Sequence, residues 1–536
     1  PLMSQPFALA CRGGLNVNLN QLEIMRQPGV ATELLNFEVD PDGGYRRING
    51  FTLFGGGSSV RPNSSNRILG MFVYADGLIV CSGTGIFFSQ DGTSYLQINK
   101  ASVSGSGDNF STFSGRSNDA RTSQGQCSFA LFEGTSDYGE VLICDGANKP
   151  FFFKMTGTGG LSDRTFFAGE ITVDSTTAPT VGVIHENHFV VGGAPTAKNK
   201  IFFSSSLDPD SFSGSGAGSI QLTDSIVGLA SFRSDLIIFC KNSIFKLINI
   251  SDSDNIAIVP VTKNVGCLDG NSIQEIGGDL LFLSPDGIRT VAGTARIGDV
   301  ELSSVSRQIQ KITTVIADGI NNFVITSGVL RSKSQYRLFY TNTTQSSSVS
   351  KGVIGTLTPN GFEWSETKGI QATGFASGLD KDGVEQLYHG DNAGYIYNHD
   401  TGNIFNPAGS ASNVEAQYYT PDLDFGDIGT RKTIKYVKVS VTPEGTVQPE
   451  LQVKYDFESA TTPQPPTYTL TQIPLPATFG SATFGESEFG AAENPLVRQA
   501  VEGTGNTVAF RLKSDDQRSP YSINGFYIDY MPAGRK

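Results

Sequence analysis

Only four histidines occur among the 536 residues, so acid–base or metal chemistry has few places to sit. His185-Glu-Asn-His188 has the composition of a zinc motif, but that motif needs histidines four apart on one face of a helix. Here they stand three apart in a strand-like stretch, which sends them to opposite faces, and both read as ordinary strand or turn residues. His389 and His399 flank a Gly-Asp-Asn turn with no serine or cysteine nucleophile motif beside them. Glycine is abundant, at 62 residues, yet it forms no phosphate-cradling P-loop, dinucleotide fingerprint or GxSxG elbow.

The acidic residues offer little more. Asp40-Pro-Asp-Gly-Gly44, Asp208-Pro-Asp210 and Asp252-Ser-Asp254 lack the spacing and terminal Glu of a calcium loop, and turns explain all three. Ser89-Gln-Asp-Gly-Thr-Ser-Tyr95 resembles the Asp-box turn of sialidase-like propellers, with Tyr95 where the box prefers Trp. Such a box is a folding element, because its Asp organises a hairpin turn by local hydrogen bonds. A retaining sialidase would also need a Tyr/Glu pair and three convergent arginines, and the arginines here are scattered. The expectation is no enzyme, no cofactor, and no catalytic or metal-ligating residue. What remains is basic: Arg46-Arg47, and Arg431-Lys432 with Lys435 and Lys438. These clusters suit a solvated strand face, salt bridges between subunits, or contacts to phosphate.

The elements that position these residues follow from composition and pattern. Charged residues make up 17% of the chain and aromatics 10%, whereas ordinary domains carry about 25% charge. Many turn formers and few charged helix formers point to an all-β protein. The formal charge of −13 argues against a protein that grips nucleic acid or anionic membrane by charge. Apolar runs such as Leu236–Cys240 and Leu280–Leu283 fall short of the ~18 residues of a membrane span. Residues 1–10 show no signal-peptide pattern. The six cysteines (Cys11, Cys81, Cys127, Cys144, Cys240 and Cys267) form no CxxC and read as reduced, mostly buried thiols.

Residues 60–404 repeat one theme: an apolar strand, a turn at Asp, Asn or Gly, a second apolar strand, a turn, and an aromatic third strand. Ile68–Tyr74, Leu78–Cys81 and Gly85–Phe88 are the clearest copy; residues 226–247 and 272–290 match it. Middle strands recur at the spacing of propeller blades, and six or seven blades fit the span. Ser/Gly/Asn-rich stretches at 100–126 and 204–219 are too long for hairpins and suit contact loops. Residues 1–59 read as an extended strap (Leu15, Val17, Leu19 and Leu22) that feeds an Asp-Gly-Gly turn, with Leu34, Leu35 and Phe37 as anchors. Residues 405–536 alternate strictly, as in Leu451, Val453, Tyr455 and Phe457, or Val508, Phe510 and Leu512, which indicates an antiparallel sandwich. Within it, the low-complexity insertion 474–490 carries Phe479, Phe484 and Phe489 at five-residue intervals, suited to home packing or docking on a partner. The single tryptophan, Trp364, reads as blade core.

One stretch carries a resemblance. Gly13-Gly-Leu-Asn16 followed by Gln27-Pro-Gly-Val-Ala-Thr-Glu-Leu-Leu-Asn-Phe-Glu-Val-Asp-Pro-Asp-Gly-Gly-Tyr-Arg-Arg-Ile-Asn-Gly-Phe51 resembles the opening of tailed-phage virion structural proteins. The order Asp208–Phe212, Ile226–Phe232, Leu236–Leu247, Val265-Gly-Cys267 and Gly278–Arg289 is similar to the propeller core of the packaged-DNA stabilisation and tail-nozzle proteins of short-tailed phages. Tyr419–Gly426 with Lys435–Val441, and Val508–Leu512 with Ile523–Asp529, resemble that family's closing strands.

The resemblance implies a homohexameric ring at the distal end of a podovirus tail, assembled in the host bacterial cytoplasm and located in the virion. Such a ring retains the packaged double-stranded DNA and gives the channel for its ejection. Its implied partners are further copies of itself, the adaptor ring of the head-to-tail connector, tailspike or fibre, and a needle or plug protein. DNA would pass without sequence-specific binding through an acidic or neutral lumen, and no membrane is spanned. The interaction residues expected on this reading are Arg46, Arg47, Arg431, Lys432, Lys435, Lys438, Phe479, Phe484 and Phe489. The alternative is a glycan-binding or glycan-hydrolysing propeller tail protein for host attachment.

Overall fold

Each repeat folds as an antiparallel meander whose apolar middle strand is buried on both faces. The computed structural model describes residues 5–535, apart from 42, 57–59, 100–120, 135, 159–162, 175–176, 292–303, 477–486 and 489–495. In the first blade, Ile68–Tyr74 pairs with Gly77–Ser82, which pairs with Gly85–Ser89, which pairs with Leu96–Gln97. Leu78, Ile79, Val80 and Cys81 are all fully buried, because a neighbouring blade covers each side of the strand. Four-stranded sheets follow over residues 128–170, 181–221 and 226–262, then a three-stranded one over 274–290. Residues 324–368 supply four more strands that merge into a nine-stranded sheet. The last blade comprises Gly374–Leu379, Glu385–Gly390 and Ile396–His399. Innermost strands from all seven units line one central cavity, so the fold is a β-propeller with a sheet-rich C-terminal region.

The ring is closed by the start of the chain. Phe51–Leu53, which lies before the span assigned to the propeller from sequence, is the outermost strand of the last blade, pairing antiparallel with Ile396–His399. The rest of the strap is equally tied in. Gln5–Ala10 pairs with the long strand Tyr521–Arg535. Glu33–Leu35 lies between Gly361–Lys368 of the sixth blade and Val414–Tyr419 of the C-terminal region. Asn36 holds this seam: its left-handed backbone lets the amide donate to the Lys368 and Glu415 carbonyls and accept from the Lys368 N–H. The Gly13-Gly14 pair has a similar cause. Both residues have positive φ, and a Cβ on Gly14 would lie 2.8 Å from the Trp364 backbone nitrogen. That close approach lets the Leu15 N–H donate to the Trp364 carbonyl.

Two sheets form the C-terminal sandwich. One runs Phe37–Val39, Tyr45–Arg47, Tyr521–Arg535, Thr430–Pro443, Leu496–Ala500; the other contains Val414–Tyr419, Val508–Asp516 and Glu450–Tyr455. Their inward rows, including Val437, Val439, Leu451, Val453, Phe510 and Ile528, share one core with the strap's Leu15, Leu34 and Phe37. Trp364 is buried in that core, its Nε1–H donating to the Val305 carbonyl at 2.8 Å.

Several sequence expectations are corrected. His185 and His188 flank a two-residue turn and are direct cross-strand partners, so they share a face; the turn reverses the chain between them. The strap is not extended at Leu22: Asn20 caps a short helix, Gln21–Ile24, that turns Ile24 inward and leaves Leu22 67% exposed. Phe457 leaves the alternation of its strand because residues 456–458 turn with positive φ, and it is 39% exposed. Lys351–Thr358 is an additional strand between Gln335–Thr341 and Gly361–Lys368. The six cysteines are free and buried.

A buried polar network fixes the strap to the propeller. The Glu38 carboxylate, 3% exposed, accepts from Arg46 (2.8 Å), Lys333 (2.9 Å), Gln335 (3.0 Å) and Arg337 (3.0 Å). Arg337 and Lys333 also pair with Asp400 at 3.2 and 2.6 Å. Burial alone would raise the Asp400 carboxyl, but these two cations hold it well below the usual carboxylate range. Arg337 is always protonated, so it donates to His399 Nε2 at 2.9 Å, which leaves the His399 proton on Nδ1. That N–H donates to His389 Nδ1 at 3.1 Å. Burial pushes His389 down to about 3, and burial with Arg337 alongside pushes His399 well below its ordinary value.

Both histidines are therefore neutral in the fold and take protons on unfolding below about pH 6.5. Their contribution is complete above that pH and is lost as pH falls toward 3, at about 1.4 kcal/mol per pH unit for each proton bound on unfolding. His389→Asn, whose Oδ1 can accept from His399, should lower the slope of stability against pH between 6 and 4 by about that amount. Urea unfolding followed by Trp364 fluorescence measures it; an unchanged slope would show that His389 does not titrate this way.

Candidate functional site

The central cavity is the first place to look for chemistry, since ligand sites are concave and few. It has a volume of about 440 Å³ and is lined by small and apolar residues from the innermost strands, among them Gly70, Ser128, Gly182, Ala230, Gly328 and Ala376. Glu275 is the one charged side chain among its described lining residues. A second cavity of about 570 Å³ shares part of this wall and adds Asp145 and Asp269. Asp145 is saturated: it accepts from Arg121 (3.0 Å), the Asn148 side chain and the Ala147 and Asn148 N–H groups. Asp269 caps the turn Gly270–Ser272 by accepting from the Asn271 N–H, and burial raises its carboxyl to about 6. Glycoside hydrolysis needs two carboxyls working as a pair. Of the two aspartates here, one is locked in an ion pair and the other holds a turn.

His185, His188, Asp91 and Asp252 serve the fold, whereas burial and the neighbouring Glu140 raise the Asp210 carboxyl to about 7. His185 bonds Ser231 and His188 bonds the Ser204 carbonyl. Asp91 accepts from the Thr93 N–H at 2.9 Å, which builds the Asp-box-like turn. Asp252 accepts from the Asp254 N–H and the Asn255 amide within its own turn.

The basic candidates separate into two groups. Arg46 bridges Glu38 and Glu444, the latter at 2.7 Å. Arg47 is 1% exposed and donates to Asp516 and to the carbonyls of Asp516, Arg518 and Asn403. Lys432 is buried against the Asp427 and Asn506 carbonyls, and burial lowers its ammonium. Arg431 is half-buried and reaches the Thr504 carbonyl at 3.4 Å. All four bond within the chain.

Lys435 and Lys438 differ. They lie on the outward side of Thr430–Pro443, where a bulge between Ile434 and Tyr436 turns both Lys435 and Tyr436 away from the core. Lys438 stands over the Tyr527 ring at 5.5 Å and lies 3.6 Å from Asp529. Arg498, which sequence reasoning passed over, is exposed and stacks on Tyr436 at 3.7 Å. Cross-strand register brings them together: Lys438 pairs with both Arg498 and Tyr527, and Tyr436 with both Ala500 and Asp529. This outward face, with Tyr527 43% and Leu496 59% exposed, is the candidate interaction surface. Phe479, Phe484 and Phe489 lie outside the described residues.

No family model and no curated protein sequence matches the chain. Solved structures are similar to it at low identity. The extracellular domain of a hybrid two-component system protein from B. thetaiotaomicron is 13% identical with a TM-score of 0.33; the match covers 72% of this chain and 39% of that one. The AfRom2 CNH domain is 10% identical over 66% of this chain and 99% of that one, with a TM-score of 0.35. A glycoside hydrolase family 43 arabinoxylan arabinofuranohydrolase from Bacillus subtilis is 10% identical over 89% and 99%, with a TM-score of 0.23. No activity is drawn from these likenesses.

The two groups of cations should respond differently to truncation. Arg47→Ala strands Asp516 and three carbonyl contacts and should cost roughly 3 kcal/mol of stability, whereas Lys435→Ala should stay within about 0.5 kcal/mol. Chemical denaturation of both variants checks this.

Proposed function

We propose that the chain is a structural virion protein forming the distal nozzle ring of a short-tailed phage, which retains packaged double-stranded DNA and gives the channel for its ejection. The observation that carries this reading is the behaviour of the segment with the family resemblance. Residues 13–51 run from the sandwich past the sixth blade to the edge of the last blade, and their Gly-Gly-Leu-Asn and Leu-Leu-Asn-Phe stretches make the joining contacts. Motif and architecture thus support the same assignment. The two adjoining cavities at the propeller centre hold, among their described carboxylates, a single glutamate, an ion-paired aspartate and a turn cap.

On this proposal the chain assembles as six copies, seats against the adaptor ring, and carries tailspike or fibre and a needle or plug protein. With a charge of −13 the subunit favours a lumen that lets DNA slide, since each phosphate–cation contact adds salt-dependent affinity. Mass measurement of the purified chain should find a particle near six copies, with no glycosidase turnover, and the protein should be present in purified virions. A stable monomer or trimer with glycosidase turnover would favour the glycan-processing alternative; absence from virions would remove the phage assignment.

A further inference from the structure

The outward face of the C-terminal sheet is arranged in cross-strand rows. One row is Arg498, Lys438, Tyr527 and Ala8; the rows beside it are Ala500, Tyr436, Asp529 and Pro6, and Leu496, Ser440, Gly525 and Ala10. A sheet face turned to water is normally polar along its outward positions. Here those positions are largely alanine, glycine, proline, leucine and tyrosine around a cationic centre. Leu496, Arg498, Ala500, Pro6, Ala8 and Ala10 are all exposed. Tyrosine and arginine are the residues enriched where protein interfaces hold most of their binding energy.

Charge identifies what sits there. Lys435, Lys438 and Arg498 outnumber the one acid in the rows, Asp529. They do so on a chain with 52 acidic and 39 basic residues, so the surface elsewhere is more acidic than the chain average. A two-fold contact would set this patch against itself, cation on cation. A head-to-tail contact sets it against the acidic surface of the next copy, and repeated rotation closes such contacts into a ring. Four strands at ~4.8 Å spacing by five residues at ~3.3 Å give a patch of about 300 Å². A stable interface buries about 800 Å² per partner, so the patch is the centre of a contact.

We infer that this face, centred on Lys438, Arg498, Tyr436 and Tyr527, is a heterologous interface that takes an acidic surface of a second copy of the same chain. The inference rests on the ring proposed above and names the surface that makes it.

The test measures particle mass of the full chain against ionic strength, for the wild type and for Lys438→Glu/Arg498→Glu and Tyr527→Ala. Trp364 fluorescence confirms that each variant folds. The wild type should assemble, lose mass as salt rises, and fall at least tenfold in assembly affinity in both variants. Lys454→Glu, on the other sheet of the sandwich, should assemble as wild type does. Wild-type rings that persist in both folded variants would overturn this interface and leave the ring standing. A wild type that stays monomeric at every concentration would overturn the ring and the interface together. Gain of mass only on adding a purified adaptor ring would assign the face to that protein and overturn the self-contact.

Discussion

The arrangement of the whole chain turns on one buried carboxylate. Glu38 sits where the strap passes between sandwich and propeller, and removing such a charge from water costs several kcal/mol unless it is fully paired. Its partners come from Tyr45–Arg47 of the strap and from residues 333–337 at the hairpin of the sixth blade. Arg337 in turn needs Asp400 and His399 at the end of the last blade. Satisfying this carboxylate therefore requires three separate parts of the chain to be in register at once. A network of this kind adds little to net stability compared with apolar packing, but a misplaced strap leaves it with an unpaired charge.

The same logic governs the other polar side chains. Every histidine has been drawn into packing or into a hydrogen-bond relay, and most of the acidic motifs organise turns. Polar residues in a propeller face a demand that apolar ones do not: each turn and strand edge leaves backbone groups that need partners. Asp91, Asp145, Asp224 and Asp269 each answer that demand by accepting backbone N–H groups.

Much of the fold was legible because burial on both faces writes long apolar runs into the middle strands, while burial on one face writes alternation into the sandwich. Lys351–Thr358 has a weak strand pattern because Gly352 and Gly355 interrupt its apolar residues. Those glycines instead leave room for the rings of Phe339 and Trp364. The candidate surface was half legible. Local charge density marked Lys435 and Lys438, but Arg498, Tyr436 and Tyr527 join them only through strand pairing, which no local pattern encodes. Arg46, Arg47 and Lys432 looked equivalent to those lysines because the groups that bury them lie far away in sequence, Asp516 among them.

The closing strand has a consequence for timing. Phe51–Leu53 leaves the ribosome before any blade exists, yet its partner strand is the last that the propeller makes; Asn49 bonds the Asp400 carbonyl 351 residues later. Contacts at such separation form late and slowly. Until then the strap is a set of unpaired strand edges carrying buried-type residues, the kind of segment that invites misassembly with other nascent chains. Gln5–Ala10 waits longer still, for Tyr521–Arg535, so the outermost pairings of the strap are the last to set during synthesis.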